Sequence, residues 1–103
     1  MAVTDQNPMP HTPSAREKKL LDNALESLNR LFDRNISVID VWALMLATAE
    51  ALRNTPHAPE LERAVRELLV VVSANRPFRD QRDRALEVTD DLRHYLASKL
   101  PLE

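Results

Sequence analysis

The sequence predicts an all-α protein, an antiparallel up-down four-helix bundle that follows a disordered N-terminal tail. Apolar residues recur at helical spacing in four separate segments. The chain has no glycine, which makes tight two-residue β-hairpins unfavourable. The seven prolines lie in the tail, between the periodic segments or at the C-terminal end, where they would not break a helix. We therefore expect a tail over residues 1–13 and one helical domain over residues 14–101.

The first predicted helix runs from Ala15 to Asp33. Ser14 can cap its N-terminus, and Glu17 completes the spacing of a capping box. A single apolar stripe supports the helix, and it comprises Leu20, Leu21, Ala24, Leu25, Leu28, Leu31 and Phe32.

The second predicted helix starts after Ser37 and reaches about Arg53. Its apolar arc is wide, which is typical of a helix buried on most sides. The arc includes Val38, Ile39, Val41, Trp42, Leu44, Met45, Leu46, Ala49 and Leu52.

The third helix is predicted from about Pro59, and the fourth from Phe78 to Lys99. The stripe of the third helix is Leu61, Ala64, Val65, Leu68, Leu69, Val71 and Val72, with Val70 on the opposite side. The stripe of the fourth is Phe78, Ala85, Val88, Leu92, Tyr95, Leu96 and Leu100.

Asparagine is the expected residue after each helix end, since a chain without glycine needs another residue that tolerates a left-handed backbone. Asn35, Asn54 and Asn75 each follow a periodic segment. Loops of about four residues would then join antiparallel neighbours.

Composition excludes several classes of site. Without cysteine there are no disulfides and no thiolate zinc sites, and without glycine there is no glycine-rich phosphate-binding loop. A formal net charge of −2 gives no general attraction to nucleic acid or anionic lipid. We see no signal-peptide pattern and no apolar stretch long enough for a membrane span, so we expect a cytoplasmic protein.

The sequence shows no group of residues with the spacing of a catalytic or metal site. His11, His57 and His94 lie in separate segments, and no two have the spacing of metal ligands. Ser14 and Ser37 are better interpreted as helix N-caps than as nucleophiles. We therefore expect a protein that is not an enzyme and needs no metal or cofactor.

Acidic residues form the one unusual pattern, on the side of the fourth helix opposite its apolar stripe. Two like-charge pairs there, Asp83–Glu87 and Glu87–Asp91, are at i, i+4 and each costs a few tenths of a kcal/mol. The plain interpretation is a solvated surface, and the functional one is a docking surface for a basic protein. The candidate partner-binding residues, hereafter the acidic strip, are Asp80, Asp83, Glu87, Asp90 and Asp91.

Two further surfaces provide alternatives. Trp42, Met45 and Val70 could form the interface of a structural homodimer. Arg76, Arg79, Arg82 and Arg84 could contact nucleic acid, although Asp80 and Asp83 interrupt this cluster.

The function predicted from these patterns is binding of another protein through the acidic strip. By analogy at the level of fold alone, immunity or antitoxin-like proteins and regulatory adaptors have this character.

Overall fold

The computed structural model describes residues 14–100, which form five α-helices and no β-strand. The helices are α1 (Ala15–Phe32), α2 (Val38–Ala51), α3 (Ala58–Ser73), α4 (Phe78–Val88) and α5 (Asp90–Lys99). The all-α class is confirmed, but five helices replace the four that we predicted. Our expectations for the tail and for residue 101 lie outside the described residues.

The start of α1 has the predicted capping box. The Ser14 hydroxyl accepts from the backbone N–H of Glu17 at 3.1 Å, and the Glu17 carboxylate accepts from the N–H of Ser14 at 3.0 Å. Ser37 caps α2 in the same way, by accepting from the N–H of Asp40 at 3.2 Å. These bonds satisfy amide groups that have no partner within the helix, and they fix where both helices begin.

The single fourth helix that we predicted is wrong, because the chain departs from helical geometry at Thr89, with φ −102° and ψ 5°. Thr89 is buried, and its hydroxyl donates to the carbonyl of Ala85 at 2.7 Å. Such a bond back to the preceding turn bends a helix. As a result α4 packs mainly on α3, whereas α5 packs mainly on α1.

Left-handed backbone occurs at Asn75, as predicted, and at Arg34, where φ is 66°. Asn35 does not take this conformation, so that prediction is one residue out of place, and Asn54 does not take it either. At the end of α1 the N–H of Asn35 donates to the carbonyl oxygen of Arg30 at 2.8 Å, and the N–H of Arg34 donates to the carbonyl oxygen of Leu31 at 3.1 Å. This is the Schellman pattern, and it stabilises the left-handed residue Arg34.

The core is aliphatic and draws on all five helices, with α2 and α3 in the most extensive contact. Fully buried side chains include Leu21, Leu28, Leu31, Val41, Met45, Leu52, Leu61, Leu68, Ala85 and Leu96.

Five residues of the predicted apolar stripes are instead on the surface, namely Phe32, Ile39, Leu46, Leu69 and Phe78, and the two phenylalanines are the most exposed of them. Phe32 is 68% exposed and Phe78 is 87% exposed. Phe32 is the last residue of α1 and Phe78 is the first of α4, so each lies at a helix end beyond the packed middle of the domain. In α4 only Ala85 is buried, so α4 has the fewest buried residues of the five described helices. None of the five described helices combines the length and the apolar character that crossing a bilayer requires.

Candidate functional site

The acidic strip is divided between two helices. Asp80, Asp83 and Glu87 belong to α4, whereas Asp90 and Asp91 form the first turn of α5. Because the chain bends at Thr89 between them, the five carboxylates do not follow one continuous helix face.

Arginines compensate most of this negative charge. Four of the five carboxylates have an arginine nitrogen within 4 Å, and only Asp80 has no ion pair with a described residue. One of the pairs is long-range, between Arg63 of α3 and Asp91 at 3.4 Å. Exposed pairs of this kind contribute at most about 1 kcal/mol each, but they replace a negative surface by one of mixed charge. The pairs are Arg82–Asp83, Arg84–Glu87, Arg93–Asp90 and Arg63–Asp91.

Only part of the predicted dimer face is accessible. Met45 is completely buried in the core, Trp42 is half-buried, and Val70 is 70% exposed. Met45 was therefore wrongly placed on an accessible face. The buried indole nitrogen of Trp42 has no hydrogen-bond acceptor among the described residues.

The arginine cluster also separates. Arg79 and Arg82 line a groove at one end of the domain, whereas Arg84 pairs with Glu87 at 2.7 Å. Arg76 lies in the turn before α4 and is not part of the groove lining. The structure therefore joins two of the four arginines to a surface that the sequence did not identify.

This groove encloses about 820 Å³, which is within the range of ligand-binding clefts. Its walls come from the end of α1, the α1–α2 turn, the start of α2, the end of α3 and the first turn of α4. Six apolar residues and three arginines line it, and the lining contains no carboxylate. The lining residues, hereafter the basic groove, are Leu31, Arg34, Ile36, Ser37, Val38, Ile39, Val72, Phe78, Arg79, Gln81 and Arg82.

The three arginines of the basic groove differ in how they are held. Arg82 donates to the carbonyl of Phe32 at 3.4 Å and lies 3.7 Å from Asp83, so it bridges α1 and α4. Arg34 and Arg79 form no ion pair with the residues that the structure describes. Two guanidinium groups are therefore available at the groove.

Apolar side chains continue at helical spacing from the basic groove along α2 and α3. Three of these side chains count among the exposed large hydrophobic residues, with exposures of 57% for Ile39, 47% for Leu69 and 44% for Leu46. A smaller hollow of about 260 Å³ at their far end is lined by Leu46 and Val65. We call this surface the apolar strip, and it comprises Ile39, Trp42, Leu46, Val65, Leu69 and Val72.

Charges at the far end of the apolar strip are balanced. Glu50 and Arg53 form an ion pair of 2.8 Å, and Glu62 and Arg66 both line the small hollow. The apolar strip therefore has one basic end and one end without net charge.

The two described histidines, His57 and His94, lie in separate surroundings. His57 is buried, and its Nδ1 atom lies 2.8 Å from the hydroxyl oxygen of Tyr95. Burial, and then the negative charge of Glu60, raise the pKa of Tyr95 above its usual value. His94 is exposed, with its Nδ1 atom 2.9 Å from the carbonyl oxygen of Asp90. Among the described residues no three acidic or histidine side chains are grouped to hold a metal, and His11 lies outside that part.

The wide apolar arc of α2 was the sequence signal for the apolar strip. We interpreted that arc as a sign of burial on most sides, but its Ile39 and Leu46 flank is not covered. Sequence alone did not reveal that α3 adds Leu69 beside them.

Comparison of the chain with protein-family models, with curated proteins and with solved structures gave no match.

Proposed function

We propose that this chain is a non-enzymatic protein-binding domain, and that its docking surface is the basic groove together with the apolar strip. The occupant is a segment of a partner protein that carries both apolar side chains and carboxylates. The observation that carries the proposal is the continuity of exposed apolar side chains with a groove that contains three arginines and no acid.

Apolar exposure supports a protein partner. Large apolar surfaces that remain in water on a folded chain are typical of interaction sites. Phe78 is the most exposed large hydrophobic residue of the described part, at 87%, and Ile39 lies in the same groove lining. Covering such side chains stabilises a complex by roughly 1.5–3 kcal/mol for each one that becomes fully buried.

Charge supports an acidic segment. Arg34 and Arg79 have no carboxylate partner within the described residues, and an incoming carboxylate would pair with either at little cost in broken contacts. Charge complementarity of this kind favours the correct partner and speeds its association.

A basic partner at the acidic strip is the second candidate. Its support is that Asp80 has no ion pair within the described chain, and that Asp91 and Glu87 keep 81% and 68% of their side-chain surface in water. A partner's lysines or arginines would have to compete there with the arginines of this chain. This competition makes the acidic strip the weaker of the two surfaces.

The wider role we propose is that of an immunity-like protein or a regulatory adaptor in the cytoplasm. In this proposal α4 and α5 together take the place of the fourth helix of an up-down bundle, and this helix is bent at Thr89. The support is that α4 packs on α3 and α5 packs on α1, which closes the helices around one core.

Recovery of partners from a lysate of the source organism tests the proposal with three forms of the chain. The wild type is compared with a groove variant, Ile39→Ser with Phe78→Ser, and with an acidic-strip variant, Asp83→Ala, Glu87→Ala and Asp91→Ala. All five side chains are exposed, so each substitution should change stability by no more than about 0.5 kcal/mol. Circular dichroism checks that each variant is folded.

A partner that is bound by the wild type and the acidic-strip variant, but lost from the groove variant, supports the proposal. Its identity and affinity then follow from mass spectrometry and calorimetry on the purified pair. Loss from the acidic-strip variant alone contradicts the proposal and favours the second candidate. Two results would assign the surface to another occupant. One is a homodimer in light scattering that the groove variant does not form, and the other is retardation of duplex DNA on a gel by the wild type but not by the groove variant.

A further inference from the structure

We infer that the docking surface takes an amphipathic α-helix with carboxylates at one end. The apolar side of this helix lies along the apolar strip, and its carboxylates reach Arg34 and Arg79 in the basic groove. This inference rests on the proposed function and specifies the chemistry of the partner.

The apolar strip has the form of a valley between two helices. Ile39 and Val72 line the basic groove together, and Leu46 and Val65 line the hollow at the other end together. From the basic groove to the small hollow, the residue number rises along α2 and falls along α3. The two helices are therefore antiparallel. Trp42 and Leu69 fall between these two pairs in the same register.

A third helix fits the spacing of this valley. From Ile39 to Leu46 the chain advances about 10 Å, or roughly two turns. A helix with apolar residues at i, i+3 or i+4, and i+7 presents one side chain to each successive level of the valley. Side chains of one helix pack into grooves between those of its neighbours, and this is the packing that α2 and α3 leave unused on their outer side.

An extended peptide fits less well for a reason of hydrogen bonding. The described chain contains no strand, so the surface offers no sheet edge to which a peptide could add. An extended backbone lying on apolar side chains would leave its amide groups without partners, whereas a helix satisfies them internally.

Charge determines the direction in which the bound helix lies. It also disfavours a second copy of this chain as the occupant. A helix with carboxylates at one end matches the basic groove at one end of the apolar strip and the balanced charges at the other. A two-fold dimer through the apolar strip would place the arginines of one copy against the balanced end of the other. The carboxylates at that end are Glu50, which Arg53 already engages at 2.8 Å, and Glu62, which shares the small hollow with Arg66.

Synthetic helical peptides of about 18 residues, or about five turns, test this inference. All carry the same apolar stripe and no tryptophan. One has glutamates in a terminal turn, a second has glutamines there and a third has lysines. A fourth peptide keeps the glutamates but has a central proline, which breaks the helix. Trp42 is the single tryptophan of the chain and lies in the apolar strip, so its fluorescence reports binding.

We expect the glutamate peptide to bind and to change Trp42 emission, with an affinity that falls at high salt. The lysine peptide and the proline peptide should each bind at least about tenfold more weakly, a factor that corresponds to about 1.4 kcal/mol. In the variant Arg34→Glu with Arg79→Glu, the preference between the glutamate and lysine peptides should reverse. The matched control, Lys18→Glu with Lys19→Glu, makes the same change of net charge on α1 outside the groove lining and should keep the wild-type preference.

Equal binding of the glutamate, glutamine and lysine peptides overturns the inference, as does binding that the proline does not weaken. Binding of the glutamate peptide that survives the Arg34 and Arg79 reversal also overturns it. Failure of every peptide to bind contradicts the inference too, whereas the proposed function is decided separately by the recovery of partners with the groove variant.

Discussion

Nδ1 of His57 and the hydroxyl oxygen of Tyr95 lie 2.8 Å apart, in a hydrogen bond that joins the start of α3 to α5. The two rings meet edge to face, with their centroids 5.9 Å apart. His57 is only 4% exposed. This contact connects segments that are 38 residues apart in the sequence, and it ties the helix that follows the bend at Thr89 to the start of α3.

Stability should fall at alkaline pH because of Tyr95. Burial and the charge of Glu60 raise its pKa above the usual value of 10.0, so the folded state holds this proton more tightly than the unfolded state does. The contribution is complete below the unfolded pKa and is lost as the pH rises through the folded pKa. Urea unfolding of the wild type at a series of pH values from neutral to above the unfolded pKa measures this loss.

Tyr95→Phe is the control for that experiment. It should cost about 1 kcal/mol at neutral pH, through loss of the hydrogen bond to His57. The difference in stability between wild type and variant should then shrink as the pH rises through the titration of the tyrosine. A difference that stays constant over this range would contradict the account.

Leu68 and Leu69 are adjacent in the sequence but should respond very differently to truncation. Leu68 is completely buried, whereas Leu69 is 47% exposed in the apolar strip. We expect Leu68→Ala to reduce the free energy of unfolding by about 2–5 kcal/mol. Leu69→Ala should cost less than about 1 kcal/mol. Equal losses in chemical denaturation would mean that Leu69 is covered in the free protein and that the apolar strip is not accessible.

Arg34 should tolerate glycine better than alanine, although the reverse order is normal inside a helix. Its φ of 66° is left-handed, a conformation that costs a residue with a Cβ atom about 1–2 kcal/mol. We therefore expect Arg34→Gly to be more stable than Arg34→Ala by about 1 kcal/mol, since both remove the same charge. Thermal unfolding of the two variants measures this difference. An alanine variant as stable as the glycine variant would show that the α1–α2 turn differs from the one described.

Helix positions and N-terminal caps could be predicted because their signals are local. The Ser14 cap needs only Glu17 three residues later, and the stripes of α1 and α3 follow from helical spacing. The break in the last helix was missed because a threonine does not by itself end a helix. Its effect at position 89 depends on the buried hydroxyl donating to Ala85.

The candidate site was less predictable because it depends on contacts between helices. Arg63 of α3 reaches Asp91 of α5, and no spacing along one helix reveals this compensation of the acidic strip. The basic groove joins Arg79 to Arg34 and Ile39, which come from three separate segments. Exposure of Phe78 depends on where the first turn of α4 lies relative to the core, which periodicity does not define.

The most direct test of the proposed docking surface is a map of backbone amide chemical shifts, recorded by NMR as the purified partner is added. The account predicts the largest changes in the basic groove, at Arg34, residues 36–39, Phe78, Arg79, Gln81 and Arg82, and at Leu46 and Leu69 of the apolar strip. Changes confined to the acidic strip at Asp83, Glu87 and Asp91, with the groove residues unaffected, would contradict it.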